Sequence, residues 1–176
     1  QVQLQFVLTL GEAREAGADK AMAALTLRAA AHPFLADAVL SGVSGRELEL
    51  LEHLLANQQT ATTSGKRLLA GLTRSVAAER DPARITRLLT RAQDLAPAQR
   101  TALLAAFAFD AQSAARRPVK LAAKPALLDD PTAAKAATML TWPGKPIPTG
   151  FTPPRQLSTE EEARFGMGKA LYAGVC

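Results

Sequence analysis

Reactive side chains are scarce in this chain, and their spacing limits the chemistry open to them. There is one cysteine, Cys176, and there are two histidines, His32 and His53. A lone thiol closes no internal disulfide, and with two histidines it does not complete a multi-cysteine zinc site or an iron–sulfur cluster. Glu49 and His53 stand four residues apart, which on a helix predicts a surface hydrogen-bonded pair. His32 precedes Pro33 at an expected helix boundary. Gly42-Val43-Ser44-Gly45 lacks the five-residue pattern of a nucleophile elbow, so Ser44 is expected to cap a helix. Gly166-Met167-Gly168 is too short for a phosphate loop and falls within a helical pattern. No catalytic or metal-ligating residue is assigned.

The cations are the next candidates. Of 176 residues, 21 are Lys or Arg and 16 are Asp or Glu, a net charge of +5. The excess is local, because residues 65–125 hold 12 basic and 4 acidic side chains while residues 1–64 are net acidic. Arg84, Arg87 and Arg91 repeat at three and four residues, one face of a helix, and Arg116, Arg117, Lys120 and Lys124 follow. Such cations could neutralise phosphates, although no aromatic interleaving is present for base stacking and no reading helix is evident. The solvated outer face of a helical stack accounts for the same residues, as does an interface with an acidic neighbouring domain.

The elements that position these groups are predicted to be helices. Alanine and leucine are the two most frequent residues, and 48% hydrophobic content is enough for a core, which excludes wholesale disorder. Leu48, Leu51 and Leu55, with Leu50 and Leu54 beside them, form an apolar stripe, and Ser44 with Glu47 has the spacing of a capping box. Prolines at 33, 82, 97 and 131 mark helix openings. Helices are expected near 2–10, 18–31, 34–42, 45–57, 65–78, 82–94, 97–115, 131–140 and 159–175. Openings at Pro33, Gly65 and Pro97 recur at about 32 residues, within the range of helical-pair repeats. The expected class is all-α, with HEAT-like helical pairs over residues 1–140 arranged as an α-solenoid or as a small bundle. No apolar run reaches the roughly 18 residues of a transmembrane helix.

Residues 141–157 contain Pro143, Pro146, Pro148, Pro153 and Pro154 with Gly144 and Gly150, a density that predicts an extended connector. Beyond it, Ser158 and Glu161 form a second capping-box spacing, and Glu160, Glu161 and Glu162 suit the positive end of a helix dipole. Phe165, Gly168, Leu171 and Tyr172 follow at helical spacing. A glycine in a helix interior costs about 1 kcal/mol relative to alanine, so Gly168 predicts a close crossing with another helix. The chain starts at Gln1 without a recognisable signal and reaches Cys176 within the helical pattern, and is therefore expected to be a piece of a longer protein.

Phe165-x-x-Gly168-x-x-Leu171-Tyr172-x-x-x-Cys176 resembles the N-terminal helix of c-type cytochromes, which runs into their haem attachment sequence. The resemblance implies that residues 158–176 begin a truncated cytochrome c domain. It implies that Cys176 is the first haem thioether cysteine, that Gly168 allows a close helix crossing, and that Phe165, Leu171 and Tyr172 pack in the haem domain. The second cysteine and the proximal histidine of that pattern are not in this sequence, so the implied cofactor, haem c, could not be properly ligated by these residues alone. Met167 is on the helix ahead of the attachment site and is not its distal ligand. The order of helical pairs, a connector containing Trp142-Pro143-Gly144-Lys145-Pro146, and this helix is similar to multidomain bacterial proteins described as membrane-bound dehydrogenases.

That resemblance leads to an expected function: a non-catalytic helical scaffold in an electron-transfer protein that is periplasmic or otherwise exported, with a dehydrogenase as one candidate for the parent protein. Its partners would be the other domains of that parent, including a β-propeller dehydrogenase domain. Two other readings stay open, a cofactor-free helical interaction module and, with less support, a nucleic-acid surface in the basic middle segment.

Overall fold

The computed structural model describes residues 2–13, 17–28, 34–56, 63–115, 117–146 and 155–175. His32, Pro33, Arg116, the prolines at 148, 153 and 154, Gly150 and Cys176 lie outside these residues. The chain divides into two units, Gln1–Gly144 and Lys145–Cys176.

Helices dominate the first unit. They are α1 (Val2–Glu12), α2 (Ala18–Arg28), α3 (Leu35–Gly42), α4 (Glu47–Ala56), α5 (Thr63–Glu79), α6 (Pro82–Gln93) and α7 (Pro97–Phe107). They pack in two layers. Each odd-numbered helix packs on the next, α1 on α3, α3 on α5 and α5 on α7, while α2 meets α4 and α4 meets α6. The two layers join through α1 with α2 and α4 with α5. An all-α architecture is therefore present, and its layers follow from helices that are apolar on the faces they share.

The core lies between the layers. All five leucines of the α4 stripe are buried, as are Leu68, Leu72 and Val76 of α5 and Ile85, Leu88 and Leu89 of α6. Small residues set how closely two odd helices approach. A Cβ built on Gly11 of α1 would lie 2.7 Å from the Gly42 Cα of α3, so backbone meets backbone there. Arg46 ties the same region together. Its Nη1 donates to Asp19 Oδ1 at 2.8 Å and its Nη2 to the Gly11 carbonyl at 2.7 Å, with both side chains less than a fifth exposed. A carbonyl near the end of α1 thus gains a charged donor.

Helix starts separate into two groups. Asp81 caps α6 as expected, its Oδ1 accepting from the Ala83 amide at 2.7 Å and the Arg84 amide at 3.3 Å. Ser44 does not cap α4. Gly45 takes a left-handed φ of +81° in a turn, which keeps it out of a helix, and α4 begins only at Glu47. The helix expected over 97–115 breaks at residues 108–110 and resumes as α8 (Ala111–Ala115), with the Asp110 carbonyl accepting from the Ala114 amide at 3.0 Å. Aspartate is a poor interior residue and a good initiator, and it divides the run in two.

The largest departure is at the end of this unit. A single helix over 131–140 is expected, but the chain forms 3-10 turns at Ala126–Asp129 and Pro131–Ala133, then one turn of helix, α9 (Ala134–Ala137). A parallel pair of two-residue strands flanks this stretch, β1 (Val119–Lys120) before it and β2 (Leu140–Thr141) after it. The Val119 amide donates to the Met139 carbonyl at 2.9 Å and the Leu121 amide to the Thr141 carbonyl at 2.8 Å. Thr141 and Trp142, placed by composition in the connector, belong to this unit, with Trp142 packed against its core. The 126–129 turn packs on α6, while α9 and the 131–133 turn pack on α7.

The described residues of the second unit are Lys145, Pro146, residues 155–158 without regular secondary structure, and α10 (Thr159–Val175). Among the described residues no helix is long and apolar enough to cross a membrane.

Candidate functional site

The terminal helix carries the residues singled out by resemblance, and its first turn is built as expected. The Glu161 amide donates to Ser158 Oγ at 3.3 Å and the Ser158 amide donates to Glu161 Oε2 at 2.8 Å, a reciprocal capping box. Arg155 Nη1 also donates to Glu161 Oε2 at 2.8 Å. The Arg155 guanidinium, with the Ser158 amide adding to it, pulls the Glu161 carboxyl down to about 2. The same pairing raises Arg155 above its ordinary value. Negative charge at this end also suits the helix dipole.

Phe165, Gly168 and Tyr172 share one face of α10, and Leu171 flanks it. Phe165 is 67% exposed, Leu171 71% and Tyr172 73%, so these large apolar groups are uncovered. Among the described residues no atom lies within 4 Å of a Cβ built on Gly168, and the close crossing expected there is not made. Met167 is exposed as well. Cys176 lies outside the described residues.

The arginine stripe of α6 has a definite partner, α4. Arg84 Nη1 lies 3.3 Å from Glu49 Oε1, its Nη2 lies 3.8 Å from Glu47 Oε2, and its Nε lies 2.5 Å from Glu79 Oε2 at the end of α5. Arg87 Nε donates to Glu52 Oε1 at 2.7 Å, and Arg91 Nε stands 3.6 Å from the same oxygen. Three arginines of α6 thus meet three glutamates of α4, with Glu79 at the end of α5 joining them, and form a rail along the even layer. Arg84 is 22% exposed and is not a solvated group, whereas Arg87 and Arg91 stay half open to water. Glu49 turns to these arginines, and His53 is exposed on α4. Further along, Lys124 pairs with Asp129 and stands 5.9 Å from the Trp142 ring. Arg117 and Lys120 are exposed.

Two groups of the rail shift, each for a different reason. Desolvation pushes the Glu79 carboxyl up; Arg84 opposes this and the neighbouring Glu47 carboxyl adds to it. Arg87 is raised mainly by its hydrogen bond to Glu52. Sequence spacing exposed the cations but not these partners, because pairing across 35 residues has no local signature. Arg74 and Arg80 were missed for a different reason. They fall outside any regular stripe, yet with Arg117 they line a hollow beside Phe109.

Among the described residues there is no cluster of three or more His, Cys, Asp or Glu side chains arranged to hold a metal ion. The fold and these groups define an all-α protein of stacked helices joined to a separate capped helix. Comparison of the chain with protein-family models, curated proteins and solved structures gives no match in any of the three.

Proposed function

We propose that the first unit is a HEAT-like scaffold in an exported electron-transfer protein and that α10 is the opening helix of its c-type haem domain. One observation carries this reading: α10 is a well-capped helix with Phe165, Leu171 and Tyr172 uncovered around Gly168, directly ahead of Cys176. A helix with that much apolar surface gains stability by burying it against further chain. The residues of this chain do not by themselves fit a haem. His53 is on α4 in the other unit, His32 and Cys176 lie outside the described residues, and no ligand cluster exists among the rest. Cys176 is the one residue assigned to the group, as a thioether anchor, and the first unit is assigned no catalytic step.

The test is expression of the chain together with the native coding sequence that follows Cys176, in a host with c-type haem maturation. Haem that stays on the denatured polypeptide, and is lost in Cys176→Ala, is the expected result. A colourless full-length product, or a downstream sequence without a second cysteine three positions on and a histidine after it, overturns the assignment.

The two-layer packing of α1 to α7 also supports a cofactor-free interaction module, the reading that a colourless but stable product would favour. A nucleic-acid surface has less support, since Arg84, Arg87 and Arg91 are each engaged by glutamates.

A further inference from the structure

A hollow of about 550 Å3 opens in the C-terminal half of the first unit, between α5, α7, α8 and the segment that enters β1. Its size is within the roughly 300–1,000 Å3 of small-molecule sites. Alanines make the space: Ala77 and Ala78 on α5, Ala106 on α7 and Ala114 on α8 face it where larger side chains would fill it. Its floor is apolar and fixed, with Phe107 1% and Met139 7% exposed. Phe109 contributes a wall. It is 66% exposed although aromatic, and the Arg74 guanidinium sits 3.9 Å from its ring centroid.

The rim is cationic. Arg74, Arg80 and Arg117 border the hollow and Asp110 is the one carboxylate beside them. Arg80 adopts a φ of +57°, and its Nη2 donates to the Arg117 carbonyl, which fixes the turn after α5 against the segment before β1. Among the described residues, Arg74, Arg80 and Arg117 form no ion pair with a carboxylate. Arg46, Arg84, Arg87 and Arg91 each do. Three guanidiniums therefore border an apolar floor without an ion-pair partner among the described residues.

We propose that this hollow binds a small amphiphilic carboxylate, its apolar body against Phe107, Met139 and Phe109 and its carboxylate at the arginine rim. Guanidinium matches a carboxylate through two parallel hydrogen bonds, and low-dielectric walls strengthen that pairing. Asp110 offsets part of the rim's positive charge, and the apolar floor and wall favour an anion that carries an apolar body over a small inorganic one.

Calorimetric titration of the full chain with 2-naphthoate and with octanoate tests this, with neutral 2-naphthol and phenyl phosphate as comparisons. Both carboxylates should bind, and 2-naphthol should bind at least about tenfold more weakly, the loss of one charged contact. Arg117→Gln alters an exposed side chain and leaves the backbone carbonyl that Arg80 uses; it should weaken 2-naphthoate severalfold with an unchanged circular dichroism spectrum. Ala78→Trp, at an exposed position, should abolish binding by filling the space. The proposal is overturned if neither carboxylate binds at millimolar concentration, if 2-naphthol binds as tightly as 2-naphthoate, or if phenyl phosphate binds more tightly than both carboxylates. It is also overturned if folded Arg117→Gln keeps full affinity for 2-naphthoate.

Discussion

An alanine at position 11 would bring its methyl carbon to 2.7 Å from the Gly42 Cα and 2.9 Å from the Gly42 carbonyl oxygen. Neither neighbour is a side chain that can rotate away. Overpacking of this kind costs about 1–3 kcal/mol, against a gain of up to about 1 kcal/mol in helix propensity. Gly11→Ala is expected to lower the urea midpoint by a net destabilisation of about 1–2 kcal/mol; an unchanged midpoint would show that α1 and α3 can part without cost. Single residues were legible in the sequence where the interaction is local. Asp81 and the Ser158 with Glu161 pair were, because a cap joins residues two or three apart. Ser44 was not, because the left-handed turn at Gly45 delays the helix and frees Glu47 to meet Arg84.

At the scale of elements, the glutamate that ends α5 beside the α6 arginines couples stability to pH in a definite direction. Burial raises the folded-state value of Glu79 above its ordinary 4.5. Stability from its protonated form is fully present below 4.5 and is lost as pH rises through the raised value. Glu79→Gln should therefore flatten the stability profile above pH 4.5 and raise the denaturation midpoint at neutral pH. A midpoint at pH 7 below that of the unsubstituted protein would mean that the charge of Glu79 is needed by Arg84. Glu161 has the opposite sign. Its value of about 2 means that its contribution to α10 is complete above the ordinary 4.5 and disappears as pH falls toward 2. Gly168→Ala offers a second test of that helix. With nothing within 4 Å, alanine should raise α10 helicity in this chain by its propensity, up to about 1 kcal/mol. In a longer product that holds haem, the same substitution should instead reduce haem retention, because the added methyl would separate helices that need to touch. Elements such as α4 and α6 could be anticipated from periodicity. The strands could not, since β1 and β2 pair two residues each from segments about twenty residues apart.

At the scale of the whole molecule, the buried hydrophobic side chains among the described residues fall at or before Leu140, so the described core belongs to the first unit. A chain ending at Gly144 is expected to keep the thermal midpoint of the full chain within a degree or two. A fall of several degrees, measured by circular dichroism, would show that later residues support that core. The all-α class was legible because alanine and leucine periodicity is written within each helix. The order of the two layers and the hollow beside Phe109 were not, because they arise only when α5, α7 and α8 meet.

The 3-10 turns and α9 cover the last helices of both layers, α6 and α7, while α1 leaves Phe6 and Leu8 open to solvent. Among the described residues the stack thus closes its α6 and α7 side with its own later turns, while the exposed aromatic and aliphatic groups of α1 keep apolar area available for whatever chain or molecule lies against that helix.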